Sequence, residues 1–161
     1  ILMTSFAPFI SINSLTDTEI VILKSLAGLM IPASELYDVP SADDEAIFQD
    51  IVETSKRRGE TLARSLATIQ EYAVKTENQD FVELSTEMQL STIHTIKTTD
   101  PELLSPIIEV TVQCYYRDDR VMRSLGMPTH SPYPRGYQIV QGDWSLLDTV
   151  KNRNSKIWRD T

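Results

Sequence analysis

The sequence is poorest in the residues that most often carry chemistry. Among 161 residues there is one cysteine, Cys114, and there are two histidines, His94 and His130. A single thiol cannot close an internal disulfide, so the cysteine count leaves the compartment open. Cys114 reads as a small buried hydrophobe or, alternatively, as half of an intermolecular disulfide formed in an oxidising compartment. Cys-x-x-Cys, His-x-x-x-His and Glu-x-x-His are all missing, which excludes the common zinc spacings and a di-iron bundle. The chain also lacks G-x-G-x-x-G, a P-loop and G-x-S-x-G, so no cofactor-binding fingerprint or nucleophile elbow is present.

Positive charge is scarce as well. Fifteen Lys and Arg face 23 Asp and Glu, for a net charge of −8. With no basic stripe to offset it, that charge repels phosphate backbones and excludes nucleic acid as an expected partner. The longest mostly apolar run, Ile20–Ile31, is interrupted by Lys24. It falls short of the ~20 residues a membrane span requires. The chain begins at Ile1 instead of a methionine, which reads as a processed or trimmed product. "ILMTSFAPFI" has no basic region before its apolar residues, and is read as the stub of a removed signal or as a loose terminal arm of residues 1–14. The paired arginines of Lys56–Gly59 lie mid-chain with no apolar run after them, so they are no twin-arginine signal.

Helical pattern is what the sequence does contain. Thr16 and Glu19 have capping-box spacing. Val21, Leu23, Leu26, Ala27, Met30 and Ile31 then approximate a 3.6-residue period that Pro32 stops. Ser41 is expected to cap a second helix with an acidic first turn and an inner face of Ile47, Ile51 and Val52, ending near Gly59. A third helix is expected over about 60–77, with Leu62, Leu66, Ile69, Tyr72 and Ala73 inward. A fourth is expected over about 80–97, with Leu84, Met88, Ile93 and Ile96 inward. Asp100-Pro101 and Ser105-Pro106 read as caps followed by proline at the first helical position. They predict a short turn over 101–104 and a fifth helix over about 106–116. A sixth is expected from Asp118 to Leu125, with Gly126 in the left-handed position beyond it. No alternating strand pattern competes. The expected fold is all-α: a small bundle of about five to six helices over 15–126, followed by a long, mostly irregular tail over 127–161.

The tail differs in kind. It carries Pro128, Pro132 and Pro134, Tyr133-Pro134-Arg135-Gly136 fits a type I turn, and a weak helical stretch spans only about 145–151. Both tryptophans lie in it, although it has no long apolar period. Tyr133, Tyr137, Trp144 and Trp158 each join a large apolar area to a polar handle. With arginine, such residues dominate protein–protein hot spots. Extended, a tail of about 35 residues reaches roughly 110 Å. Two readings stay open: the tail folds back over its own bundle, or it wraps a partner.

Other chemistry finds little support. His94 sits on the amphipathic fourth helix and His130 beside Ser131, and a structural role accounts for each. Glu83, Glu87 and His94 share a helical face, but a solvated acidic face explains the glutamates. A small hydrolase using His94 or His130 is an alternative, as is a stand-alone helical adaptor or secretion chaperone.

Tyr115-Tyr116-x-Asp118-x-Arg120-Val121, Leu125-Gly126, Pro134-Arg135-Gly136-Tyr137 and the Asp143…Leu146-Leu147-Asp148 run resemble the end of the gluconate 2-dehydrogenase subunit 3 family. The helical opening Leu15-Thr16…Ile31-Pro32 is also similar. The resemblance spans roughly 15–161, and its specificity lies after residue 115. It implies a non-catalytic small subunit with no cofactor of its own. FAD and the sugar or polyol substrate would belong to a larger catalytic subunit of the glucose–methanol–choline oxidoreductase type, joined in many such complexes by a cytochrome c subunit. The small subunit assists maturation and export of the large one, which implies a periplasmic location, with a cytoplasmic one left open. On this reading Tyr133, Tyr137, Trp144, Leu147 and Trp158 are anchors on the partner, and Arg135 pairs with a partner carboxylate.

Overall fold

The computed structural model describes residues 15–57, 59–130, 133–134, 136 and 142–151. The chain divides into two compact units, one ending at Thr129 and the other beginning at His130. Among the described residues the fold is all-α, with no strand and one isolated β-bridge, between Ser34 and Val39.

The described residues of the first unit hold six α-helices: α1 (Asp17–Met30), α2 (Glu45–Ser55), α3 (Gly59–Glu77), α4 (Thr86–Thr99), α5 (Ser105–Tyr115) and α6 (Asp119–Ser124). Short 3₁₀ turns at Phe81–Glu83 and Pro101–Leu103 precede α4 and α5. The capping box of α1 forms as its spacing predicts. The Glu19 N–H donates to the Thr16 hydroxyl at 3.3 Å, and the Thr16 N–H donates to the Glu19 carboxylate at 2.7 Å. Two backbone donors that the helix leaves unpaired are thereby satisfied.

α3 is the central strut, touching α1, α4 and α5. Leu62, Leu66, Ile69 and Ala73 are fully buried along it, at the three- and four-residue steps that place side chains on one helical face. Ile22, Leu23, Leu26 and Ala27 of α1, Ile47 and Ile51 of α2, and Ile107 and Val110 of α5 close the same core. Phe81, in the turn before α4, is fully buried. Its N–H donates to the Gln70 amide oxygen, and its carbonyl accepts from the buried Gln89 side chain.

Several expected boundaries move, each for a local reason. Val21 is 52% exposed and Ile22 takes the buried position beside Leu23. Ser41 does not cap α2. Its hydroxyl donates to the Asp43 carboxylate, and Asp44 caps the helix by accepting the Ala46 N–H at 3.2 Å. α4 begins at Thr86, capped by Ser85, because residues 81–83 use their bonds in the tighter turn. Its buried face is Gln89, Thr92 and Ile96, with Met88 and Ile93 half-buried. Neither Asp100 nor Ser105 makes a side-chain cap. Ser105 is the first residue of α5, so Pro106 stands second.

The close of α6 follows the expectation. Gly126 has φ +68°, its N–H donates to the Arg123 carbonyl, and the Met127 N–H donates to Met122. That pair of bonds is a Schellman motif, and a residue with a Cβ tolerates its left-handed φ poorly. Gly28 has a different purpose. A Cβ there would lie 2.9 Å from the Asp43 Cγ, so a larger residue at this position would have to displace the Asp43 carboxylate of the loop before α2.

Within the second unit, Trp144–Leu147 form a 3₁₀ turn that runs into α7 (Asp148–Lys151). Asp143 caps it, accepting the Ser145 N–H at 2.9 Å and hydroxyl at 2.6 Å. These bonds hold the Asp143 carboxyl below its ordinary range. The expected turn at 133–136 includes Arg135, which lies outside the described residues.

Candidate partner-binding surfaces

The side chains of the segment Tyr115–Val121 act as a structural clamp. The Tyr115 hydroxyl donates to the Pro40 carbonyl at 3.1 Å, tying the end of α5 to the loop before α2. Burial pushes the Tyr115 phenol up. Tyr116 packs edge-on against Tyr115, with ring centroids 5.3 Å apart, and remains half exposed. Arg117 reaches back to α2. Its Nε and Nη2 donate to the Asp50 carboxylate at 3.0 and 2.6 Å, and Nη2 also meets the Thr54 hydroxyl at 3.1 Å. Asp50 in turn raises the Arg117 pKa, chiefly through the hydrogen bond.

Arg120 makes a second bridge to the same region. It donates to both oxygens of Asp44, the α2 cap, at 2.6 and 3.2 Å, and to Asp118, the α6 cap, at 3.0 Å. A planar fork between two carboxylates matches guanidinium geometry. The arginine holds both carboxyls below their ordinary value of 3.8, mainly by hydrogen bonding, and burial only partly opposes it. The Asp-x-Arg spacing therefore joins the N-termini of α2 and α6 through one cation. Val121, the last residue of the motif, is fully buried.

Cys114 lies beneath this clamp at 1% exposure. Its thiol is pushed up, first by burial, and the Arg117 Nη2 sits 3.8 Å from its sulfur. The placement is that of a packed hydrophobe. His94 is exposed on α4. His130 belongs to the second unit, where its Nε2 lies 3.3 Å from the Gly136 carbonyl. No group of three or more His, Cys, Asp or Glu suited to a metal occurs among the described residues. Glu83 and His94 do not share one helix, because Glu83 belongs to the 3₁₀ turn before α4.

The proposed anchors fall in the second unit. Tyr133 is 86% exposed, Trp144 62% and Leu147 42%, and Leu146 beside them is 73% exposed. Arg135, Tyr137 and Trp158 lie outside the described residues.

Sequence reading missed an apolar groove of about 520 Å³ on the first unit, where α1, α4 and α5 meet. Met30, Leu90, Ile93, Ile108 and Val112 line it, Tyr116 stands at one end, and Lys97 is its one charged residue. A signal for it does exist: Leu90, Ile93 and Lys97 recur at helical spacing on a face of α4 adjacent to the one that fills the core. Residues 33–40 form a loop between α1 and α2. The Ser124 hydroxyl donates to the Tyr37 carbonyl within it, and Leu36 and Tyr37 project into solvent. No helix among the described residues is long and apolar enough to cross a membrane.

No family model, no curated protein and no solved structure matches the chain.

Proposed function

We propose that this chain is a non-catalytic small subunit of a flavin-dependent sugar or polyol dehydrogenase complex. Its C-terminal unit docks on the catalytic FAD-containing subunit, supporting that subunit's maturation and export to the periplasm. The flavin and substrate sit on the partner, and a cytochrome c subunit is a further candidate member. The observation that carries the reading is the exposure of Tyr133, Trp144, Leu146 and Leu147 in a unit of roughly 30 residues. A chain that short buries too little surface to order itself without staples. Exposed large aromatic side chains mark docking surfaces. The resemblance of the segments 115–126, 134–137 and 143–148 to the gluconate 2-dehydrogenase subunit 3 family supplies the kind of partner.

The division of labour follows from the physics of each unit. The first unit is a rigid acidic scaffold locked by Arg117 and Arg120. The second is pre-shaped by the Asp143 cap and by proline, which lowers the entropy lost on docking.

Affinity purification from the native host, followed by an absorption spectrum of the eluate, tests this directly. A co-purifying chain of ordinary oxidoreductase size with a flavin band is the expected result. A chain that elutes alone, monomeric and with a protease-resistant tail, is instead a stand-alone adaptor, and the proposal fails.

A further inference from the structure

The loop between α1 and α2 presents an apolar tip on a fixed base. Leu36 is 84% exposed and Tyr37 67%, an arrangement that water disfavours. Hydrogen bonds hold the tip there. The Ser34 and Val39 backbones exchange two of them, at 3.0 and 3.1 Å, closing a hairpin around residues 35–38. Within it the Asp38 N–H donates to the Glu35 carbonyl at 3.3 Å, and Asp38 takes a left-handed φ of +50°. From below, the Ser124 hydroxyl donates to the Tyr37 carbonyl and the Tyr115 hydroxyl to the Pro40 carbonyl. A tip fixed in this way loses little conformational freedom when a surface packs on it.

The loop is one wall of a cleft of about 820 Å³, and α6 supplies the other through Arg120, Arg123 and Ser124. The cleft carries charge of both signs. Glu35 and Asp38 flank Leu36 and Tyr37, and neither has an ion-pair partner among the described residues. Arg120 is committed to Asp44 and Asp118. Arg123 is held only by Asp119, 3.7 Å away in an exposed pair one turn back on the same helix, and such pairs are easily exchanged. A guest with charge of one sign would suit one wall and be repelled by the other. A surface with both signs and an apolar centre suits both walls, and this patch is itself such a surface. A two-fold rotation sets each of its residues against a complement, as an isologous interface requires.

We propose that the 33–40 loop and α6 form a two-fold interface between two copies of this chain. The Leu36–Tyr37 tip of each copy enters the cleft of the other, and Glu35 and Asp38 of each face Arg123 of the other. The contact uses residues of the first unit alone and needs no catalytic subunit, so it stands or falls apart from the function proposed above.

Sedimentation equilibrium of the purified full-length chain, across the micromolar range, tests this. A reversible monomer–dimer equilibrium is expected. Arg123→Glu should weaken it at least about tenfold, and so should Leu36→Ala combined with Tyr37→Ala, with the helical circular dichroism unchanged. Arg123→Gln is the second variant if Arg123→Glu perturbs folding. Adding Glu35→Arg and Asp38→Arg to Arg123→Glu should restore the dimer, because opposite charges again meet across the axis. A chain that stays monomeric overturns the proposal. So does a dimer indifferent to the Arg123 and tip variants, a dimer lost on Trp144→Ala but not on Arg123→Glu, or a charge exchange that restores nothing.

Discussion

The helical unit and the C-terminal unit have similar local signals and opposite fates. Asp44, Ser85 and Asp118 cap helices in the first, and Asp143 caps a turn in the second with equally good geometry. What differs is burial. Phe81, the largest fully buried side chain of the first unit, is enclosed on all sides, whereas Trp144 of the second stands largely in water. A cap contributes about 1 kcal/mol, and burying a large apolar side chain contributes about 1.5–3. Local bonds shape the described part of the second unit, while burial stabilises the first.

The sharpest break in the comparison comes from truncating one apolar residue in each unit. Leu66→Ala, at a fully buried position of α3, should cost about 2–5 kcal/mol in chemical denaturation. Trp144→Ala should leave that denaturation midpoint unchanged. It should instead weaken association with the proposed catalytic subunit by more than about 1 kcal/mol in a titration. An unchanged dissociation constant removes Trp144 from the anchors.

The clamp gives a smaller effect, graded by pH. Asp44 and Asp118 hold their protons less tightly when folded than when unfolded. Their contribution to stability is therefore full above the ordinary value of 3.8 and is lost as pH falls through the lower folded values. Arg120→Ala should cost on the order of 1 kcal/mol at neutral pH, because the network is partly exposed. It should also flatten the loss of stability between about pH 4 and pH 2. Urea midpoints of both proteins across that range measure it, and parallel curves would show that Arg120 does not couple the two carboxylates.

The smallest effect has the opposite sign. Thr111 is fully buried on α5, and its hydroxyl has no hydrogen-bond partner among the described residues. Thr111→Val keeps the shape and removes the stranded polar atom, so a gain of up to about 1 kcal/mol is expected in the denaturation midpoint. A loss would mean that the hydroxyl is satisfied in solution.

Much of the helical unit was legible. Leu62, Leu66, Ile69 and Ala73 declare α3 by period alone. Gly126 declares the end of α6, because few other residues accept its backbone angle. Starts were harder. Ser41, Asp43 and Asp44 are all competent caps within four residues, and the choice fell to Asp44 once Ser41 bonded Asp43. That Arg120 joins Asp44 to Asp118, and Arg117 joins Asp50, requires partners more than 60 positions apart in the sequence. The apolar groove hid in the same way: Ile93 reads as core, although only the packing of α4 on α5 decides which face of the helix is covered.

The sequence by itself determined the all-α class, the approximate helices and the contrast between a periodic body and an aperiodic aromatic end, because period, caps and breakers act within a few residues. Tertiary structure alone decided which cap was used, which carboxylates share an arginine, that Cys114 is enclosed, and that α1, α4 and α5 leave an apolar groove. Those outcomes depend on which surfaces meet in space, and no local pattern encodes a meeting between residues far apart in the chain.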